Sequence, residues 1–528
     1  MTRHQQNILT PPSVKVPELF HQIMKARTRV YRLFPPTPME IHNMPEGWKL
    51  LLKREDLSEI HSYKWRGAFN FMSARYQEAK KRGVVAASAG NHAQGVAKSA
   101  AHLGIKAQLF MPQSAPKLKV EAVTRLGGPM VEIHQEGDTY DDAAEAAHRY
   151  ALKYNHLYVP PYDDLLVMAG QGVVGDEMMT SPERPDVVYL QIGGGGLAAG
   201  VAAVLRTYDP NIKLIGVEAE GQASMKAAFD AGGPVTLEHL DIFCDGTAVK
   251  TAGTLTYNAL KALLDDIVIV SATQVASAME ELWRVARVLS EPSGAMGLAA
   301  ARKYEKKLLG QKVGVILSGA NLDFRRLGYI ARRAGDPTGI QAFYQVEIPE
   351  RKGAMLAFFK TINPVGLNIS HLLVGQYDSD LAYPVIGFDG NPEDFNYFEE
   401  LISFAGYKFQ NVTGRPDIPF RVAPYQPRLL SLPYAAILNF PERPGALAEF
   451  LERVATLANI SYFNYVHSGE EVGRALAVFS FENNQSRESF LADLKAHGPD
   501  FTDLPRDTGH ALGLLETSDQ AGYDAFAK

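Results

Sequence analysis

Lys64, in Ser62-Tyr-Lys-Trp-Arg-Gly-Ala68, is a candidate amine nucleophile. A lysine among polar neighbours is ordinarily a solvated charge, so other stretches must argue for it. Ser88-Ala-Gly-Asn-His-Ala-Gln-Gly95 stands between an expected strand and helix; Ala89 and Gly90 are small enough to let backbone amides approach an anion, and Asn91 adds a side-chain donor. A plain turn fits that loop as well. Gly193-Gly-Gly-Gly196 is more specific, because glycines directly before a helix make a nest of N–H groups on the positive end of its dipole, suited to phosphate. Gly194-x-Gly196-x-x-Ala199 also fits a dinucleotide fingerprint, with Glu218 near the place of a ribose-binding acid. Ser318-Gly-Ala-Asn321 and Glu291-Pro-Ser-Gly-Ala295 read, taken singly, as a strand end and a helix start. Asp245 and Glu177 read as solvated or capping charges.

The elements that must position these residues alternate. Val84–Ser88 reads as a strand, Asn91–His102 as a helix and Ile105–Met111 as a strand; Ser114 reads as the N-cap of a helix ending near Gly127, before a strand at Met130–Ile133. Pro185–Ile192 and Val313–Leu317 read as strands, and Leu197–Tyr208 as a helix. Strands separated by helices imply a parallel sheet covered on both faces, with ligands at the carboxyl ends of its strands. Residues 1–50 read as irregular and Pro-rich.

At 528 residues the chain should hold several domains. A net charge of −6 argues against a general nucleic-acid binder. No apolar run approaches a membrane span, and the start lacks the marks of a secretion or transit signal, so a cytoplasmic location is expected. Cys244 is the only cysteine, which excludes an intrachain disulfide and a thiolate metal cluster; no metal site is expected.

Taken together and in this order, the Lys64 segment, Ser-Ala-Gly-Asn-His, the tetraglycine with Leu197, Glu-Pro-Ser-Gly-Ala and Ser-Gly-Ala-Asn resemble the fold-type II pyridoxal-phosphate enzymes of the tryptophan synthase β family, and within it the biosynthetic threonine dehydratases. The resemblance implies an α/β catalytic region of open, mostly parallel sheets in two subdomains over 1–335. It implies pyridoxal phosphate as cofactor, held in Schiff-base linkage by Lys64. Asn91 would meet the ring hydroxyl, Gly193, Gly194, Gly195, Gly196 and Leu197 would wrap the phosphate, and Ser318 would face the ring nitrogen. Ser88, Ala89, Gly90, Asn91 and His92 would hold the substrate carboxylate. A lysine in that role must supply a neutral amine. A serine opposite the ring nitrogen does not enforce its protonation, which suits β-elimination over transamination. The implied reaction takes L-threonine to 2-oxobutanoate and ammonia, with L-serine as a rival substrate. Serine racemases of this fold carry a second serine where this chain has Ala89, which disfavours racemisation. Tyr63 replaces the usual Phe, and Trp65 is bulkier than the usual aliphatic residue.

Beyond residue 335 an internal repeat appears. Pro349-Glu-Arg-Lys-Gly-Ala-Met-Leu-Ala-Phe-Phe359 and Pro441-Glu-Arg-Pro-Gly-Ala-Leu-Ala-Glu-Phe-Leu451 share six of eleven residues, and Asn368-Ile-Ser370 recurs as Asn459-Ile-Ser461. Each copy reads strand, turn, helix, strand. The copies resemble the paired α+β ACT-like regulatory domains of biosynthetic threonine dehydratase, here 341–415 and 434–508 with a Pro-rich linker at 416–433 and a loose tail at 509–528. That resemblance implies isoleucine as inhibitor, valine as opposing effector, a homotetramer, and effector residues at Phe463 and Tyr465. Two packing domains, or an amino-acid sensor with an inert lyase-like half, are the rival readings.

Overall fold

Short, largely apolar runs separated by amphipathic ones build two mostly parallel sheets in the first part of the chain. The computed structural model describes residues 15–515 apart from 89, 114, 138, 335–339, 391, 414, 416–417, 419–424, 442–445, 455–456, 467–471, 498–499 and 513. It divides into two units, Met1–Ala334 and Gly335–Lys528.

In the first unit, Val131–Gln135, Ala107–Met111, Val84–Ala87 and Leu157–Tyr158 lie in that order in a four-stranded sheet, every pair parallel. The second sheet runs Met39–Asn43, Lys49–Arg54, Lys312–Leu317, Val187–Gln191, Lys213–Ala219, Asp266–Val270, and only its first pair is antiparallel. Its strand Val187–Gln191 is buried at every position, as a central parallel strand must be. The expected N-cap Ser114 lies outside the described residues.

Residues 1–50 are not irregular throughout. Val16–Val30 is a helix with Pro17 in its first turn, where a missing N–H costs nothing, and it buries Leu19, Ile23, Ala26 and Val30 on one face. Each Leu or Ile so buried contributes about 1.5–3 kcal/mol.

In the second unit both repeats form strand, helix, strand: Ile340–Pro349, Ala354–Ile362 and Asn368–Gly375 in the first, Tyr434–Pro441, Ala446–Val454 and Asn459–Val466 in the second. Their strands join in one antiparallel sheet, because Asn368–Gly375 pairs with Asn459–Val466, with Leu372 opposite Tyr465 and Val374 opposite Phe463. The register shifts around Ser370 in one copy and around Ser461 in the other, so the repeat extends to its irregularities. The expected tail is not loose at its start: Arg506–Ala511 is helical, and Leu514 and Leu515 pack with Leu504, Ala435 and Val478.

No helix among the described residues is long and apolar enough to cross a membrane.

Candidate active site

Four strand ends of the first unit converge. Lys64 opens the helix Lys64–Ala74 after Lys49–Arg54, and Asn91 opens the helix Asn91–Leu103 after Val84–Ala87. Gly193 follows Val187–Gln191, and Ser318 follows Lys312–Leu317. Lys64, Asn91, Gly193 to Leu197 and Ser318 line one cavity of about 470 Å³, part of it open to solvent. Ser88, Gly90 and His92 are not among its lining residues. Ala89 lies outside the described residues.

The Lys64 Nζ donates to the Pro161 carbonyl at 3.1 Å. Burial pushes its amine down to about 8, against the opposing pull of Glu291. A neutral amine is therefore accessible near physiological pH. The His92 ring is buried and its Nε2 meets the Val159 carbonyl at 2.9 Å; burial and then Lys64 push it down to about 3, so the imidazole is neutral and donates there. The Gly90 N–H, expected to face an anion, instead meets Ser88 Oγ at 3.1 Å.

The glycine loop is a cradle that side chains would fill. Gly195 has φ +94°, a left-handed backbone that strains other residues, and a Cβ at Gly194 would lie 2.2 Å from the Tyr162 ring. The helix Gly196–Tyr208 starts here, so its first N–H groups have no partners within the helix and point at whatever the loop holds. Thr256 Oγ1 donates to the Gly194 carbonyl at 2.6 Å, and Asp163 accepts from the backbone of Thr254, Leu255 and Thr256, which pins the loop from below.

Beneath Lys64 lies a network of charges. Arg66 Nε meets Glu55 Oε2 at 2.7 Å and its Nη1 meets Glu177 Oε1 at 2.7 Å, while Lys53 Nζ meets Glu177 Oε2 at 2.6 Å. All four residues are buried. Burial raises the Glu55 carboxyl, but Arg66 and Lys53 outweigh it and hold it down at about 2. Glu177 is therefore neither solvated nor a cap, because two buried cations need its charge. It ties the start of the Lys64 helix to the buried helix Leu165–Met179. Asp245 is half-buried and paired with Lys119 at 2.8 Å. Glu218 accepts from Met225 and Lys226 amides at 2.8 Å each, so it holds a helix start rather than a ribose.

Sequence reasoning passed over several residues of this cavity, Glu291, Tyr162 and Thr247 among them. Glu291 stands in a motif that drew notice, but only its hydrogen bonds from Asn91 Nδ2, at 2.9 and 3.1 Å, bring it into the site. Tyr162 and Thr247 carried no signal of their own.

The cavity fits pyridoxal phosphate on this structure's own terms. It brings an amine poised near neutrality and a glycine cradle for an anion to one cavity, and Gln191 Oε1 in its wall is a buried acceptor with no hydrogen-bond partner among the described residues.

In the second unit a cleft runs between the two copies, lined among others by Ile348, Glu350, Arg351, Leu451, Asn459 and Ile460. Asn459 Nδ2 donates to Glu350 Oε1 at 2.8 Å across it, and burial raises the Glu350 carboxyl. Phe463 and Tyr465 do not line it; both are buried in the sheet's hydrophobic core.

Residues 30–319 match the family described as pyridoxal-phosphate dependent enzyme, and the chain belongs to it. Residues 434–512 match the C-terminal regulatory domain of threonine dehydratase. The chain is 36% identical over 503 residues to the biosynthetic L-threonine dehydratase of Haemophilus influenzae, covering 92% of this chain and 95% of that protein. It is 36% identical over 479 residues to the Escherichia coli enzyme of the same name, covering 87% and 88%. The processed form of threonine deaminase isoform 2 from Solanum lycopersicum superposes with a TM-score of 0.58 at 36% identity, covering 62% of this chain and 96% of that one.

Proposed function

We propose that this chain is a pyridoxal-phosphate dependent threonine ammonia-lyase, converting L-threonine to 2-oxobutanoate and ammonia, and that Lys64 carries its chemistry. The observation that supports it most is the placing of a depressed-pKa lysine, a glycine cradle, Asn91 and Ser318 around one cavity. When bound, pyridoxal phosphate supplies the electron sink that makes an amino acid's α-proton removable. Gly193 to Leu197 would hold its phosphate through backbone amides, Ser318 would serve its ring nitrogen as a neutral partner, and Asn91 would serve its ring hydroxyl. Lys64 would anchor it, and the Lys64 Nζ, as a neutral amine, would be the base that takes the α-proton. Of the segment from Ser88 to His92, the backbone N–H groups of Asn91 and His92 that open the helix would hold the substrate carboxylate, since the Gly90 N–H is committed to Ser88 Oγ, the Asn91 amide to Glu291 and the ring hydroxyl, and the His92 ring to Val159.

The division into a catalytic region over 1–335 and ACT-like domains over 341–415 and 434–508 belongs to the same reading, as do a cytoplasmic location and a homotetramer. Isoleucine inhibits and valine opposes it at the cleft of the second unit. There Ile348, Leu451 and Ile460 offer an apolar wall for a branched side chain, Glu350 a carboxylate for its ammonium, and exposed Arg351 a cation for its carboxylate.

The test is an assay of 2-oxobutanoate from L-threonine and of pyruvate from L-serine, with and without isoleucine. Threonine turnover that isoleucine suppresses and Lys64→Ala abolishes supports the reading. Preference for serine, or no turnover of either, would contradict it.

A further inference from the structure

The Glu291 carboxyl is buried, lines the cavity beside Lys64, and serves no step above. It ends a chain of side-chain hydrogen bonds that leaves Asn91 one orientation. The Ile60 carbonyl can only accept, so Asn321 turns its Nδ2 toward it, at 2.8 Å. The same Nδ2 stands 2.7 Å from Asn91 Oδ1. Asn91 Nδ2 is thereby turned to the two Glu291 oxygens, at 2.9 and 3.1 Å. Glu291 is held in turn, since its N–H donates to the Gly319 carbonyl at 3.1 Å. A Cβ at Gly319 would lie 2.7 Å from Glu291 Oε1, and one at Gly246 3.0 Å from it, so glycines from two loops make room for the carboxyl.

We propose that Asn321, Asn91 and Glu291 form a relay that aims the Asn91 amide at the cofactor ring and couples the ring's state to a proton on Glu291. Glu291 is then a positioning residue acting through Asn91, an inference that rests on the placing of the ring against Asn91 in the reading above. An amide nitrogen has two N–H groups, so donating to Glu291 leaves one for the ring hydroxyl. The groups facing Glu291 are Lys64 and Tyr63 at the start of one helix, Lys119 on another, and Cys244 and Asp245 on the turn that carries Gly246. Burial and then Asp245 raise the carboxyl to about 7, against the Asn91 bond and Lys119. Below that pH the carboxyl is neutral and can itself donate; above it, it only accepts and adds a negative charge behind Asn91.

The experiment is a visible absorbance titration of the holoenzyme from about pH 6 to about pH 9 without substrate, for the wild type, Glu291→Gln and Asn321→Ala, with pyridoxal phosphate affinity measured for each. The wild-type band should change with a midpoint near neutrality. Glu291→Gln, whose amide oxygen still accepts from Asn91, should keep the cofactor and lose the transition. Asn321→Ala, which frees the Asn91 amide to turn, should need roughly tenfold more pyridoxal phosphate for half saturation. A purely structural Glu291 would leave the midpoint of Glu291→Gln where the wild type has it, and that result overturns the proposal, as does wild-type affinity in Asn321→Ala. A wild type without a visible band overturns the parent reading as well, so the two failures are distinct.

Discussion

Gly95 and Lys64 touch through their backbones: a Cβ at Gly95 would lie 3.1 Å from the Lys64 carbonyl carbon and 3.0 Å from the Trp65 nitrogen. The helix that Asn91 opens therefore rests on the peptide that follows Lys64. This contact sets the spacing between the lysine and Asn91.

Gly95→Ala should push the two helix starts apart by a few tenths of an ångström. Overpacking of this kind costs about 1–3 kcal/mol, so the unfolding midpoint should fall. Because the displacement falls on Lys64, kcat should drop more than the stability loss alone explains. Urea unfolding and threonine kinetics on the same preparation separate the two effects.

Arg66→Ala should be among the most damaging substitutions outside the cavity. It leaves Glu55 and Glu177 buried with only Lys53 to neutralise them. Removing one partner of a buried ion pair costs about 3–5 kcal/mol. Arg66→Lys should recover part of the charge but not the two-pronged geometry, and so fall between. Denaturant unfolding of the three proteins gives the order.

Glu218 makes stability depend on pH. Burial pushes its carboxyl from 4.5 up to about 7, against the amide bonds from Met225 and Lys226. Between those values the folded protein keeps a proton that the unfolded chain releases, so this group's contribution falls as pH rises through the window and is lost above about 7. Glu291, also raised to about 7, acts in the same direction. Glu218→Gln should make the decline shallower, and Glu218→Gln with Glu291→Gln should flatten it further. Urea midpoints across the window check both slopes.

The strands and helices around the glycine loop were legible because their periodicity is local: Val187–Gln191 is a run of apolar residues and Gly196 starts a helix at once. The helix Val16–Val30 was not, because a proline in its first turn reads as one more breaker in a Pro-rich segment. Residues that announce themselves by type, Lys64 and Gly193 to Gly196, drew notice in the sequence and line the cavity; the roles of those defined by a distant partner were not legible. Glu177 is 111 residues from Arg66, and Glu291 is 200 from Asn91. Charged residues of that kind look like surface charges until folding brings the partner in.

The most direct test of Lys64 as the cofactor's anchor is to reduce the holoenzyme with borohydride, digest it and locate the lysine that carries the phosphopyridoxyl group. The account predicts the label on Lys64 alone, loss of the label in Lys64→Ala, and a visible band in the wild type that shifts when threonine is added. A label on another lysine, or a protein that stays colourless with pyridoxal phosphate, would contradict it.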